Sequence, residues 1–400
     1  EERMKKNQIS GVSLGTASSH TRYGDRDDVL VISLEAGSTV SCKFTSNTFK
    51  AAPVKQAIKN LETKTKGEKY LLVNAGNANA GNGKKGEQDV TNYCSHFSKT
   101  SSCDFNNILP FSTGVIGENL DVEAHKKAFD KALKNIKATN WNKASKAILT
   151  TDTKPKLLKR TIKSGSKEIN LIGFAKGSGM IGPDFATLLS FVFTDAEISQ
   201  SLLDKIHSES LKDSFDAITI DGDTSPNDSS CLVATGGSGV KIKKSSQLEI
   251  TIKKEIKALF KELAKLLVVD AEGATKFISV NVQNAKNENQ AKEVAFTVAL
   301  SPLVKTAMFG NDANWGRILA AVGRCKSIDD ISKTSIRINN LPMVNKGSKS
   351  KSHSEKSASK AVKKKNIKID IDLGLGKKTH QVNTSDFSED YVLINSEYRS

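Results

Sequence analysis

The chain is 400 residues long, 37% hydrophobic and 26% charged, and its 60 Lys and Arg against 44 Asp and Glu give a formal net charge of +16. Length and composition fit a globular chain with room for a sizeable core, in two or three domains or one composite fold. No run of 18 apolar residues is present, which excludes a transmembrane helix, and the first ten residues hold no apolar stretch of signal-peptide type.

Residues 27–34 (DDVLVISL) and 69–73 (KYLLV) are short apolar runs ending near Gly or Asn, which predicts buried strands, with a short helix over 54–61 between them. The stretch 121–138 carries Val122, Ala128, Phe129, Leu133 and Ile136 at near-helical spacing. Acids open it and lysines close it, as the helix macrodipole favours. Residues 170–175 and 187–194 read as strands flanking a Gly-rich turn. Thr194 and Glu197 then form a capping-box pattern, so a helix is expected to begin at Thr194. A longer helix is expected over about 253–269, and strands over 277–282 and 295–300. Residues 346–365 hold eight Lys, six Ser and almost nothing apolar, which predicts a mobile insertion. An alternating strand resumes at Ile367. Strands and helices alternate throughout, so the class is mixed α and β.

The insertion carries +7 of the net charge, and few aromatic residues interleave with the lysines. The basic balance therefore reads as a solvated surface, with neither nucleic acid nor membrane as the expected partner. The five cysteines (Cys42, Cys94, Cys103, Cys231, Cys325) are odd in number and contain no CxxC, and the six histidines contain no HExxH. Neither a metal site nor a disulfide framework is expected, and a reducing cytoplasm fits best.

Three motifs compete for the chemistry. Residues 177–182 match GxGxxG after a strand, but a dinucleotide site needs a helix to start inside the motif. Pro183 and the β-like run 187–194 follow instead. The Asn- and Gly-rich loop 74–83 resembles a phosphate cradle, but Asn82 stands where a P-loop requires Lys. The third candidate is Thr187, preceded by the small residue Ala186 at the start of an apolar strand. A threonine hydroxyl is a poor nucleophile without a base, and an N-terminal threonine supplies one in its own α-amine. That amine has a reference pKa of about 7.7–8.0, so much of it is neutral at working pH. Cutting the bond between Ala186 and Thr187 would expose it, and the same hydroxyl can make the cut by attacking the preceding carbonyl. Spacing alone leaves Thr187 an ordinary strand residue as readily as a nucleophile.

Nine segments resemble, in order, the glutamate N-acetyltransferase (ornithine acetyltransferase) family of arginine biosynthesis. They are residues 26–34, 74–83 (NAGNANAGNG), 112–117 (STGVIG), 150–156 (TTDTKPK), 176–189 (KGSGMIGPDFATLL), 221–228 (DGDTSPND), 272–276 (EGATK), 301–318 and 395–400 (NSEYRS). The resemblance implies an Ntn-hydrolase-like α/β/β/α sandwich with a smaller C-terminal α/β region. It implies self-cleavage between Ala186 and Thr187 into an α chain of residues 1–186 and a β chain of residues 187–400, assembled as α2β2. Thr187 matches the nucleophile, which takes acetyl from N-acetylornithine and passes it to glutamate. Thr113 and Gly114 match the oxyanion hole. Thr150, Lys176, Thr187, Glu272, Asn395 and Ser400 match substrate-binding positions. In that role Lys176 suits an α-carboxylate and Glu272 the ornithine ammonium. No metal or organic cofactor is implied. Asp184 and Phe185 depart from the family pattern just before the cut. The alternatives are a bifunctional enzyme that also uses acetyl-CoA, a related N-terminal-nucleophile hydrolase, and a basic binding module.

Overall fold

The computed structural model describes residues 8–63, 65–182 and 188–398. In chain order the strands are β1 (Val12–Ala17), β2 (Val29–Leu34), β3 (Thr39–Phe44), β4 (Lys69–Asn77), β5 (Ile108–Val115), β6 (Lys156–Ser164), β7 (Lys167–Lys176), β8 (Leu189–Thr194), β9 (Ser229–Ala234), β10 (Phe277–Ala285), β11 (Ser335–Ile338), β12 (Leu341–Asn345), β13 (Ser348–Lys349), β14 (Asn366–Asp372) and β15 (Lys378–Ser385). The helices are α1 (Ala52–Glu62), α2 (Gly83–Ser101), α3 (Val122–Lys134), α4 (Trp141–Ala147), α5 (Gln200–Lys212), α6 (Gln247–Val269), α7 (Glu288–Ala299), α8 (Pro302–Phe309), α9 (Trp315–Gly323), α10 (Glu355–Val362) and α11 (Glu389–Glu397).

Two sheets face each other, one in the order β1-β2-β4-β5 and the other β3-β9-β8-β7-β6. Strand alternation sends successive side chains to opposite faces. In β2, Leu30, Ile32 and Leu34 enter the core between the sheets, where Phe174, Phe191 and Phe193 meet them from the other sheet. Val29 and Val31 turn outward to α2 and α3. On the far side α5 and α6 cover β7, β8 and β9. The result is an α/β/β/α sandwich, in which each sheet buries both faces and each helical layer buries one. A third sheet, β13-β12-β11-β14-β10-β15, packs with α7, α8, α9 and α10 around a separate core. Thr219 N–H donates to Asn383 O, and Thr275 and Lys276 N–H donate to Asp386 Oδ1, so the seam with the sandwich is hydrogen-bonded. This is the mixed α and β architecture, sandwich plus smaller C-terminal region, that the resemblance implied.

Three local expectations require correction. Thr194 closes β8 and does not open a helix; its hydroxyl accepts from Ala196 N, and α5 starts only after Ser199. Glu197, the other half of the expected capping box, pairs with Lys241 across a short bridge. Residues 295–300, expected as a strand, belong to α7. Five of its residues, Ala291, Val294, Ala295, Val298 and Ala299, are at most 1% exposed, and a helix so covered reads as a continuous apolar run. Residues 346–365, expected as an insertion with nothing to bury, contain β13 and α10. Ala358, Ala361 and Val362 recur at helical spacing and are buried there. The sequence reading weighed the lysines and missed that three small apolar residues suffice for one covered stripe.

The two rejected motifs keep structural roles. No helix starts within residues 177–182, which lead from β7 toward its antiparallel neighbour β8. Asn74, Ala75, Gly76 and Asn77 complete β4, and the rest of the loop runs into α2.

Candidate active site

β4 and β5 run parallel with Gly76 opposite Gly114. Gly114 has φ +134°, and a Cβ there would lie 2.2 Å from the Gly76 carbonyl carbon. No residue with a side chain fits both restraints. Thr113 precedes it and is 6% exposed. At the end of β7, Lys176 reaches across from the second sheet. Its Nζ donates to Thr150 Oγ1 at 2.8 Å and to Thr113 Oγ1 at 3.1 Å. Burial pushes the Lys176 pKa down, while Asp152, whose Oδ2 is 4.0 Å away, pushes back.

Asp152 is itself buried beneath the lysine. Its Oδ1 accepts from Lys156 Nζ at 2.5 Å and from Gly177 N–H at 2.8 Å, and Lys156 also donates to Asp270 Oδ2 at 2.5 Å. Burial is the largest influence on Asp152 and raises its pKa. Lys176, Lys156 and the Gly177 N–H together outweigh it and hold the carboxyl below its ordinary value.

Glu272 forms the opposite wall. Its Oε1 accepts from Thr151 Oγ1 at 2.7 Å, and its Oε2 accepts from Asn395 Nδ2 at 2.8 Å. A Cβ at Gly179 would lie 2.4 Å from Oε2, so this glycine gives the carboxylate its space. Nearby, Asp221 accepts from the consecutive N–H groups of Met180 and Ile181, at 2.7 and 2.9 Å, and from Tyr391 OH at 2.9 Å. Burial raises the Asp221 pKa. Met180 has φ +54°, so the aspartate pins a turn that L side chains seldom adopt.

These groups surround one cavity of about 320 Å3. Thr113, Gly114, Thr150, Lys176, Glu272 and Asn395, all nominated from the sequence, line it. Ala186, Thr187 and Ser400 lie outside the described residues. The start of β8 is nonetheless fixed, because Leu189 pairs with Lys176 and Leu188 N–H donates to Asp228 Oδ1 at 3.0 Å. Thr151, Asp152, Ser178, Asp221, Asp228, Tyr391 and Tyr398 were given no role from the sequence. All but Ser178, Tyr391 and Tyr398 lie in the 150–156 and 221–228 segments; Ser178 and Tyr398 fall in two other quoted segments, 176–189 and 395–400. Motif membership was thus a signal for six of the seven, but the buried hydrogen bonds that define their roles need the third dimension. Among the described residues no group of three or more His, Cys, Asp or Glu is placed to hold a metal ion, and no helix is long and apolar enough to cross a membrane.

Comparison with known proteins adds a consistent set of matches. The model of the ArgJ family matches residues 13–400. The arginine biosynthesis bifunctional protein ArgJ of Methylococcus capsulatus is 41% identical over 395 residues, covering 98% of this chain and 96% of that protein. The protein of the same name from Colwellia psychrerythraea is 41% identical over 410 residues, with the same coverage. A crystal structure of the arginine biosynthesis bifunctional protein argJ from Bacillus halodurans is 35% identical with a TM-score of 0.51, covering 53% of this chain and all of the solved one. With its sandwich, its cavity and a family match over nearly its whole length, the chain belongs to the ArgJ family.

Proposed function

We propose that this chain carries acetyl from N2-acetyl-L-ornithine to L-glutamate through an acetyl ester on Thr187, after cutting itself between Ala186 and Thr187. Family membership makes it an acyltransferase of arginine biosynthesis. One observation carries the finer reading: six residues from five separate stretches of chain converge on a single cavity, beside the strand that Thr187 precedes.

The chemistry follows from the donors. Thr187 Oγ attacks the acetyl carbonyl while its α-amine takes the proton, and a tetrahedral oxyanion forms. Thr113 O–H and Gly114 N–H serve as its donors. Lys176 donates to Thr113 Oγ1, which leaves the threonine's own hydrogen free for the oxyanion and polarises it. Ornithine leaves with the proton, glutamate binds in its place, and the same donors serve the second transfer. Glu272, whose oxygens accept from two neutral donors, is the partner for a substrate ammonium. The cut pieces stay associated because β7 pairs with β8, and β3 with β9, across the cut. The assembly is α2β2 in the cytoplasm, and neither metal nor organic cofactor takes part, so chelators leave activity unchanged.

Denaturing electrophoresis with N-terminal sequencing tests this. The native chain should give two pieces, the larger beginning at Thr187. Thr187→Ala should give one band near 43 kDa and no transfer. A Thr187→Ala protein that is cut and active would end the proposal. A second reading is favoured by the word bifunctional in the relatives' names: the acetyl-enzyme is also loaded from acetyl-CoA. Glutamate acetylation by acetyl-CoA without acetylornithine decides it.

A further inference from the structure

Outside the lining of the cavity, two cysteines that the transfer chemistry does not use face each other. Cys42 in β3 is the direct antiparallel partner of Cys231 in β9, and their sulfurs are 3.0 Å apart. Directly opposed residues in such a pair have Cα atoms about 4.5–5.5 Å apart. A disulfide accepts about 4.4–6.8 Å, so the backbone already meets its requirement. Among the described residues no other two cysteine sulfurs approach to contact distance.

We propose that Cys42 and Cys231 form a reversible dithiol–disulfide pair, and that its oxidation covalently joins the two pieces of the self-cleaved chain. The joining rests on the cut after Ala186, which puts Cys42 in the first piece and Cys231 in the second; the bond itself does not.

The two sulfurs divide the work. Cys231 is fully buried, and burial pushes its thiol pKa up, so it does not meet an oxidant first. Cys42 is half-buried on an edge strand and lines a cavity of about 580 Å3, together with Val40, Asn60, Lys69 and Gln200. A peroxide entering that cavity is attacked by Cys42 sulfur: the O–O bond breaks, one water leaves and a sulfenic acid remains. Cys231 sulfur then attacks Cys42 sulfur, and the hydroxyl leaves with the Cys231 proton as a second water. Two thiols and one hydrogen peroxide thus become one disulfide and two waters. Thiol reductants reverse the step by exchange. Before oxidation the pieces hold together by strand pairing and packing alone; afterwards they share a bond that denaturants do not break.

The test uses the purified wild-type protein treated with hydrogen peroxide, blocked with N-ethylmaleimide and run on denaturing gels with and without dithiothreitol. Without reductant one band near 43 kDa is expected; with it, two bands of roughly 20 and 23 kDa in proportion to length. Cys42→Ser should give two bands in both lanes, whereas Cys103→Ser should retain the link. Two wild-type bands without reductant, or a link that survives in Cys42→Ser, would overturn the proposal. A single band in the reduced lane would instead overturn the cut. In that case mass spectrometry of the unreduced digest still decides the bond, since a Cys42–Cys231 peptide pair is either present or absent.

Discussion

Lys176, at the floor of the cavity, and Lys305, at the seam between sandwich and C-terminal unit, both end in the interior, but their neighbours differ. Lys176 donates to two threonine hydroxyls and stands 4.0 Å from the buried carboxylate of Asp152, which Lys156 holds while also donating to Asp270. Lys305 is 0% exposed; it donates to Ile220 O and, at 3.0 Å, to Thr384 Oγ1, and it lies 4.0 Å over the Phe387 ring. Among the described residues no carboxylate comes within ion-pair distance of it. Burial pulls the Lys305 pKa down to about 7, against more distant Asp221 and Asp386. A close anion opposes the loss of hydration that pulls a buried ammonium's pKa down, whereas at Lys305 dipoles, a ring and only distant carboxylates oppose it. The first arrangement suits a charge that chemistry uses. The second suits a seam that only needs its carbonyl and hydroxyl satisfied.

The sharpest way to break that contrast is Lys176→Met. It removes the donor behind Thr113, and kcat should fall by about 10² to 10³, the usual cost of weakening an oxyanion hole. A kcat within threefold of wild type would take Lys176 out of the chemistry. Asp152→Asn should come next. It keeps the acceptor for Gly177 N–H but removes the anion, with a stability loss of about 3 kcal/mol by denaturant titration. It also moves a pH limb. In the proposed mechanism Lys176 acts as the ammonium, so kcat should fall as pH rises through its lowered pKa. Asp152 raises that pKa, so the variant should lose activity at a lower pH than wild type. An unmoved alkaline limb would show that the limb belongs to another group.

Much of this was legible in the sequence, and the boundary has a physical cause. Short apolar runs marked β2, β4 and β8, which are buried on both faces, and period-two alternation marked β14, which is buried on one. The family-like motifs nominated Thr113, Gly114, Thr150, Lys176, Glu272 and Asn395, which share one cavity. α7 was misread because burial on most sides erases the helical stripe. α10 was misread because its buried residues are small and the 346–365 stretch around it holds eight lysines. Asp152, Lys156 and Asp270 escaped for a different reason: a buried ion cluster draws on residues up to 118 positions apart, and singly each looks like a surface charge. The 3.0 Å approach of Cys42 and Cys231, 189 residues apart, was hidden by the same distance along the chain.

On the Lys305 side the expected effects concern stability. Between about pH 7 and 10 the unfolded chain keeps the Lys305 proton and the folded chain does not. Stability therefore rises with pH in that window, by up to about 1.4 kcal/mol per unit, and the contribution is flat below it where both states are charged. Lys305→Met should remove this slope, as read from denaturant midpoints at pH 6.5, 8 and 9.5. A slope unchanged in the variant would mean that the slope does not come from Lys305. The smallest effect belongs to Thr384→Val, which deletes one neutral acceptor and costs about 1 kcal/mol. Because that hydroxyl favours the ammonium, its loss should also move the start of the rise below about pH 7. It should leave kcat alone, since Thr384 does not line the cavity. Thr150→Val removes the matching acceptor from Lys176 and should lower kcat. If the two valine variants lost activity equally, the two lysines would not be doing different work.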